Sequence, residues 1–226
     1  MFIIILIVTS ILGFFISSRL KSKFSKYAKI PNQHQLSGYE IAMKMMQHYG
    51  IHDVKVVEGQ GMLTDHYNPR TKTVSLSPQV YRGRSIASAA VAAHEVGHVV
   101  QHDTAYSMLQ MRSFLVPIVQ FSSQIQQYLL LGLIFGIGGS LGNSWLLNVI
   151  TLTFGLTALF SLVTLPVEFD ASKRALVWLD NTGIATGQQY EGAKDALWWA
   201  AMTYVAKALT ALLMFLYFLM MSAGRD

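Results

Sequence analysis

The chain has 226 residues, 52% of them hydrophobic and 13% charged, with no cysteine and a net charge of +5. Charge at about half the soluble norm argues against an ordinary water-soluble globule, and the lack of cysteine excludes disulfides, thiolate metal ligands and a cysteine nucleophile. Nucleic acid is not implied by the positive balance, because no aromatic-basic platform or fold signature accompanies it.

Phe2 to Ser18 is a nearly unbroken apolar run, enough for a short helical crossing of a bilayer. Arg19, Lys21, Lys23, Lys26 and Lys29 follow with no acidic residue among them. A cleaved signal peptide carries its charge before the apolar run. The order here fits an uncleaved anchor, residues 1–18, with the basic cluster on the cytoplasmic side.

Residues 19–113 read as a water-facing module. Ser37 and Glu40 form a capping-box signal, and Ile41, Ala42, Met45, Met46 and Tyr49 recur at helical spacing until Gly50. Asp53 to Val57 and Thr73 to Ser77 alternate as strands do, with a turn at Asn68-Pro69-Arg70, so two or three short strands are expected. From Ser85 the Ala-rich run IASAAVAAHEVGHVVQHD predicts a helix.

Three more apolar stretches follow. Phe114 to Gly139 is interrupted by the polar run Ser122 to Gln127; Ser144 to Leu165 is a full-length span; Ala201 to Met221 is another, with Lys207 near enough to one end to snorkel. With the anchor, about four transmembrane helices are expected: a hairpin at 114–166, a helix and following segment at 167–200, and a last crossing at 201–222. Lys173 and Arg174 would emerge on the same side as the first basic cluster. The fold class expected is α+β, mostly α-helical, in an integral membrane protein with one small β-sheet.

His94-Glu95-Val96-Gly97-His98 is an HExxH motif on the expected helix. Residues four apart share a helical face, so two imidazoles can converge on one zinc ion, while Glu95 reaches a water without binding the metal. Two histidines leave a catalytic zinc short of a third protein ligand. His102 extends the ladder, but it lies one full turn beyond the pair. Among the glutamates outside the motif, Glu168 alone combines an expected helix start after Pro166 with emergence from a span on the motif side. The strand Thr73 to Ser77 offers a possible sheet edge to an extended substrate. His66, Tyr67 and Tyr204 are candidate donors to a developing oxyanion.

The stretches DHYNPRTKTVSLS, SIASAAVAAHEVGHVVQH, TLPVEFDASKRAL and EGAKDALWWAAMTYVAKAL resemble the YugP-type membrane zinc metallopeptidases, and the resemblance covers nearly the whole chain. It implies a zincin-like module holding one zinc per chain on His94, His98 and Glu168, with Glu95 as catalytic base, and a peptide or protein substrate met at the membrane. Broader relatives, of the HtpX and CAAX-protease type, often place an Asp four residues after the ligand Glu; here that position is Ser172, with Asp170 two residues earlier. The enzyme expected is a multi-pass endopeptidase of the cell membrane with its site on the cytoplasmic side. The rival readings are a membrane scaffold whose zinc site is structural or decayed, and a transporter using Asn148 and Lys207.

Overall fold

The computed structural model describes residues 1–134 and 144–224. In chain order the elements are α1 (Phe2–Tyr27), α2 (Gly38–His48), β1 (Lys55–Glu58), β2 (His66–Asn68), β3 (Thr73–Leu76), α3 (Pro78–Tyr81), α4 (Ile86–Asp103), α5 (Ser107–Ile134), α6 (Ser144–Asn181) and α7 (Gln188–Ala223). The architecture is mostly helical α+β, with one small sheet.

Two cores divide the molecule. The larger collects Ile41 and Met45 of α2, Val74 and Leu76 of β3, the Ala face of α4, and Trp178, Leu179 and Ala193 from the adjoining ends of α6 and α7. The smaller joins Leu147, Ile150 and Phe154 of α6 to Met214 and Phe218 of α7. Both long helices therefore run from one core to the other. Phe2 packs its ring against Tyr217 and Phe218, so the two chain ends lie at the same far end of the bundle.

Local chemistry explains the module's elements. The Glu40 amide donates to the Ser37 hydroxyl and Glu40 Oε2 accepts from the Ser37 amide at 2.7 Å, closing the expected capping box at the start of α2. Gly50, just past that helix, has φ +71°, which ends it without strain. Ser85 caps α4 by accepting from the Ser88 amide. At the other junction Lys23 and the Tyr27 hydroxyl both meet the Asp195 carboxylate, at 2.6 and 2.7 Å, fastening α1 to α7.

The sheet runs β1-β3-β2, with β1 parallel and β2 antiparallel to β3. The strand expected to offer a free edge is the central one, with ladder partners on both sides. β1 and β2 are the edges instead, and β2, three residues long, is too short to show alternation.

Three helices, not the expected four, are long and apolar enough to cross a membrane among the described residues: α1, α6 from Trp145, and α7. In α5 the polar run Ser122 to Gln127 dilutes the apolar stretch, and the end of the expected span, residues 135–139, lies outside the described residues. Nor does a helix start after Pro166. That proline sits inside α6, which continues unbroken to Asn181. A proline forfeits one backbone hydrogen bond, and packing along both faces carries the helix through it.

Ser37→Ala removes one half of the capping box and is expected to lower the stability of the purified protein by ~1 kcal/mol, read as a lower thermal midpoint in detergent. An unchanged midpoint would mean that α2 is held by packing alone.

Candidate metal centre

Helix α4 crosses α6 at Gly97. A Cβ there would stand 2.6 Å from the Ala171 carbonyl oxygen, so any larger residue would push the two backbones apart. This contact turns the α4 face carrying His94 and His98 onto the α6 face carrying Glu168 and Ser172. Sequence spacing gives the glycine no visible purpose; the crossing supplies it.

The two imidazole rings stand 4.8 Å apart, centroid to centroid. Their Nε2 atoms lie 3.4 Å (His94) and 3.6 Å (His98) from the same oxygen, Glu168 Oε2. Glu168 is 2% exposed, and its Oε2 has no hydrogen-bond partner among the described residues. A buried carboxylate oxygen without a partner is costly unless a cation lies against it. Donors held at 2.0–2.1 Å by a tetrahedral zinc stand roughly 3.3–3.4 Å from one another, close to the separations seen. Two imidazole nitrogens and one carboxylate oxygen are also the donor set of a catalytic zinc that keeps one position open. These three residues therefore fit a metal ion.

Polar partners orient each ring. Gln101, fully buried, donates through Nε2 to the Val167 carbonyl and to Asp170 Oδ2, both at 2.8 Å. Those two acceptors fix the amide, so its Oε1 faces His98 Nδ1 at 3.0 Å and calls for a proton there, leaving Nε2 bare toward the cluster. Arg174 holds Asp170 from the other side at 2.6 Å. His94 Nδ1 meets the Ser172 hydroxyl at 3.1 Å. Ser172 thus supports one ring directly, while Asp170 reaches the other through Gln101. Arg112 of α5 adds its Nη1 at 3.2 Å from Glu168 Oε1, the oxygen turned away from the histidines.

Glu95 lies beside the cluster, outside the converging donor set, and is 7% exposed. Burial pushes its carboxyl above the usual range; the neighbouring His94 and His98 pull the other way. A cavity of about 230 Å³ opens over Glu95 and the cluster, walled by His66, Tyr67, Arg112 and Tyr204. A second cavity, about 270 Å³, reaches Glu95 and His94 from the side of α1 and α7 and shares Tyr204 with the first. His66, Tyr67 and Tyr204 are thereby brought to the site. The His66 ring contacts the Thr64 carbonyl through Nδ1 at 2.8 Å. His102 is turned aside, its Nδ1 3.1 Å from the Tyr67 hydroxyl, and it takes no part in the cluster.

Gln101, Ser172 and Arg112 were not singled out for these contacts from the sequence. Gln101 had a signal, since three residues after His98 is the same helical face. Arg112 had none, because its approach depends on how α5 packs.

Helices long and apolar enough to cross a membrane, packed around a His-His-Glu cluster, define a helical protein with a candidate metal centre. A family model described as "Putative neutral zinc metallopeptidase" matches residues 2–223, and the chain belongs to that family. It is 39% identical to a Bacillus subtilis (strain 168) protein named "Putative membrane protease YugP", over all of this chain and 99% of that protein. No solved structure matches.

Zinc content measured on the purified protein is expected to fall sharply in His94→Ala, His98→Ala and Glu168→Ala, and to persist in His102→Ala. Gln101→Leu frees the His98 ring and is expected to weaken zinc about 10–100-fold in competition with a chelator. Equal affinity in Gln101→Leu would show that the ring is held by packing alone.

Proposed function

We propose that this protein is a membrane-bound zinc endopeptidase with Glu95 as general base. The observation that carries the reading is the placement of Glu95: buried, facing the cavity, next to three converging donors and not one of them. A structural zinc site has no use for such a carboxylate and fills its positions with protein ligands.

Zinc on His94, His98 and Glu168 supplies Lewis acidity toward water and toward the scissile carbonyl. Glu95 takes the proton of the attacking water and passes it to the amine nitrogen as the C–N bond breaks. No acyl-enzyme is needed, and the chain has no cysteine to form one. Tyr204, His66 and Tyr67 wall the cavity as candidate donors to the oxyanion. Gln101 and Ser172 keep the rings turned, and Arg112 steadies Glu168. An extended substrate lies along β2, the sheet edge whose residues His66 and Tyr67 face the cleft.

The division into an anchor (1–18), a zincin-like module (19–113), a hairpin (114–166), a ligand-bearing helix and following segment (167–200) and a last crossing (201–222) describes functional parts, although α1, α5, α6 and α7 each run through a boundary. The basic cluster at the module end of α1 supports a site on the cytoplasmic side. A reporter after residue 30 is expected in the cytoplasm and one at the N-terminus outside, by protease protection; a reporter after residue 30 found outside would contradict this orientation.

Glu95→Gln keeps the side chain's volume and leaves the three donors in place, but an amide cannot take the proton. Zinc is expected to remain and peptide hydrolysis to fall roughly a hundredfold to ten-thousandfold. Undiminished cleavage with zinc bound would exclude the mechanism.

A further inference from the structure

Helix α5 lies along α6 from the metal centre to the smaller core. Arg112 meets Glu168 at one end, and the Thr157 hydroxyl stands 3.4 Å from Gln126 Oε1 further along. At the other end Leu129 and Leu130 pack against the core of Leu147, Ile150 and Phe154. The later part of α5 is therefore level with the apolar stretch of α6 that begins at Trp145. Where α6 crosses a bilayer, that part of α5 stands at hydrocarbon depth.

The outward surface of α5 carries two stripes with the same repeat. Phe114, Ile118, Phe121, Ile125 and Tyr128 recur at intervals of four and three, and Phe114, Phe121 and Tyr128 are 71, 68 and 76% exposed. Beside them Ser113, Pro117, Gln120, Gln124, Gln127 and Leu131 recur at the same intervals, and all of them are exposed. A repeat averaging about 3.5 residues keeps a stripe on one side of a helix and is the spacing of a helix–helix seam.

The solvent decides which stripe pairs. In water the apolar stripe would form the seam and the amides would face out. In hydrocarbon the order reverses, because lipid tails cover Phe114, Phe121 and Tyr128 as well as protein does, while the amides of Gln120, Gln124 and Gln127 find no partner among them. Gln126, turned inward, is met by Thr157; no side-chain hydrogen bond of Gln120, Gln124 or Gln127 is found among the described residues. The amides that dilute the apolar stretch of α5 are thus the groups that call for a neighbour.

A second copy of the chain supplies that neighbour. Copies in one membrane share orientation and depth, so about a two-fold axis along the membrane normal their α5 helices run parallel and each glutamine faces its own counterpart. An amide both donates and accepts, which makes the stripe self-complementary at three levels without any shift of register.

We propose that the protein is a dimer in the membrane, joined along the Ser113 to Leu131 stripe of α5, with Gln120, Gln124 and Gln127 hydrogen-bonded across the two-fold axis. The proposal rests on α6 crossing the bilayer and is independent of the peptidase reading. It bears on the site through Arg112. Within one copy α5 rests chiefly on α6, and pairing at Ser113 gives the helix that delivers Arg112 to Glu168 a second support.

The absence of cysteine makes a cross-linking test clean. Single cysteines are placed in the full chain, one at a time, by Gln120→Cys, Gln124→Cys and Gln127→Cys on the amide stripe and by Phe114→Cys, Phe121→Cys and Tyr128→Cys on the apolar one. Each change on the amide stripe leaves two amide levels intact. Membranes holding each variant are oxidised with copper phenanthroline. Disulfide-linked dimer is expected to form at least tenfold faster from the amide stripe than from the apolar stripe. Faster cross-linking from the apolar stripe would overturn the proposal, since that is the seam an aqueous pairing would choose.

The triple variant Gln120→Leu, Gln124→Leu, Gln127→Leu keeps a helix that lipid accepts and is expected to hold as much zinc as wild type. Energy transfer between donor- and acceptor-tagged copies in liposomes is expected to vanish in this variant at a lipid dilution at least tenfold lower than in wild type. A wild-type chain monomeric at every dilution, or a triple variant that associates as tightly, would overturn the proposal. Should the triple variant lose zinc, the cysteine series decides, and absence of disulfide at all three amide positions overturns it.

Discussion

The backbone contact between Gly97 and Ala171 is the constraint on which the site depends. Two histidines one turn apart need a third donor from elsewhere in the chain, and the donor needs a buried approach within a few ångströms. Only a residue without a side chain lets α4 come close enough to α6 for Glu168 Oε2 to stand 3.4 and 3.6 Å from the two imidazole nitrogens. The Ala-rich face of α4 extends the same logic along its length. Small side chains, all fully buried at Ala87, Ala89, Ala90, Ala92 and Ala93, allow close packing in the larger core.

A second consequence of that crossing is the buried polar network. Gln101, Asp170 and Arg174 form a chain of hydrogen bonds that ends on His98, and Ser172 meets His94. Each member has a partner, as a buried network needs if it is to fix geometry rather than weaken the core. Glu168 Oε2 is the exception, and it is the atom aimed at the cluster. The unsatisfied group and the converging nitrogens fit a cation between them.

Much of this was legible in the sequence because the signals were local. HExxH spacing, the Ser37–Glu40 capping box and the stop at Gly50 involve neighbours along one helix, and each stands in the structure as read. Glu168 was reached by elimination and by resemblance, and it does join the two histidines, although the supposed helix start after Pro166 is absent: packing along α6 overrides the proline. What escaped was set by tertiary placement. β2 is too short to alternate, so the edge strand was assigned to Thr73–Ser77, which is central. Arg112 comes from a helix whose packing has no sequence signature. The fourth span was counted from apolar composition that the run Ser122 to Gln127 dilutes.

The central claim is that two imidazoles and one carboxylate hold zinc at the α4–α6 crossing. X-ray absorption at the zinc edge of the purified protein tests it most directly. The account predicts a low-coordinate ion with nitrogen and oxygen neighbours at ~2.0–2.1 Å, and outer-shell scattering from two imidazole rings that drops to one in His98→Ala. Scattering from three imidazoles, or a spectrum unchanged in Glu168→Ala, would contradict it.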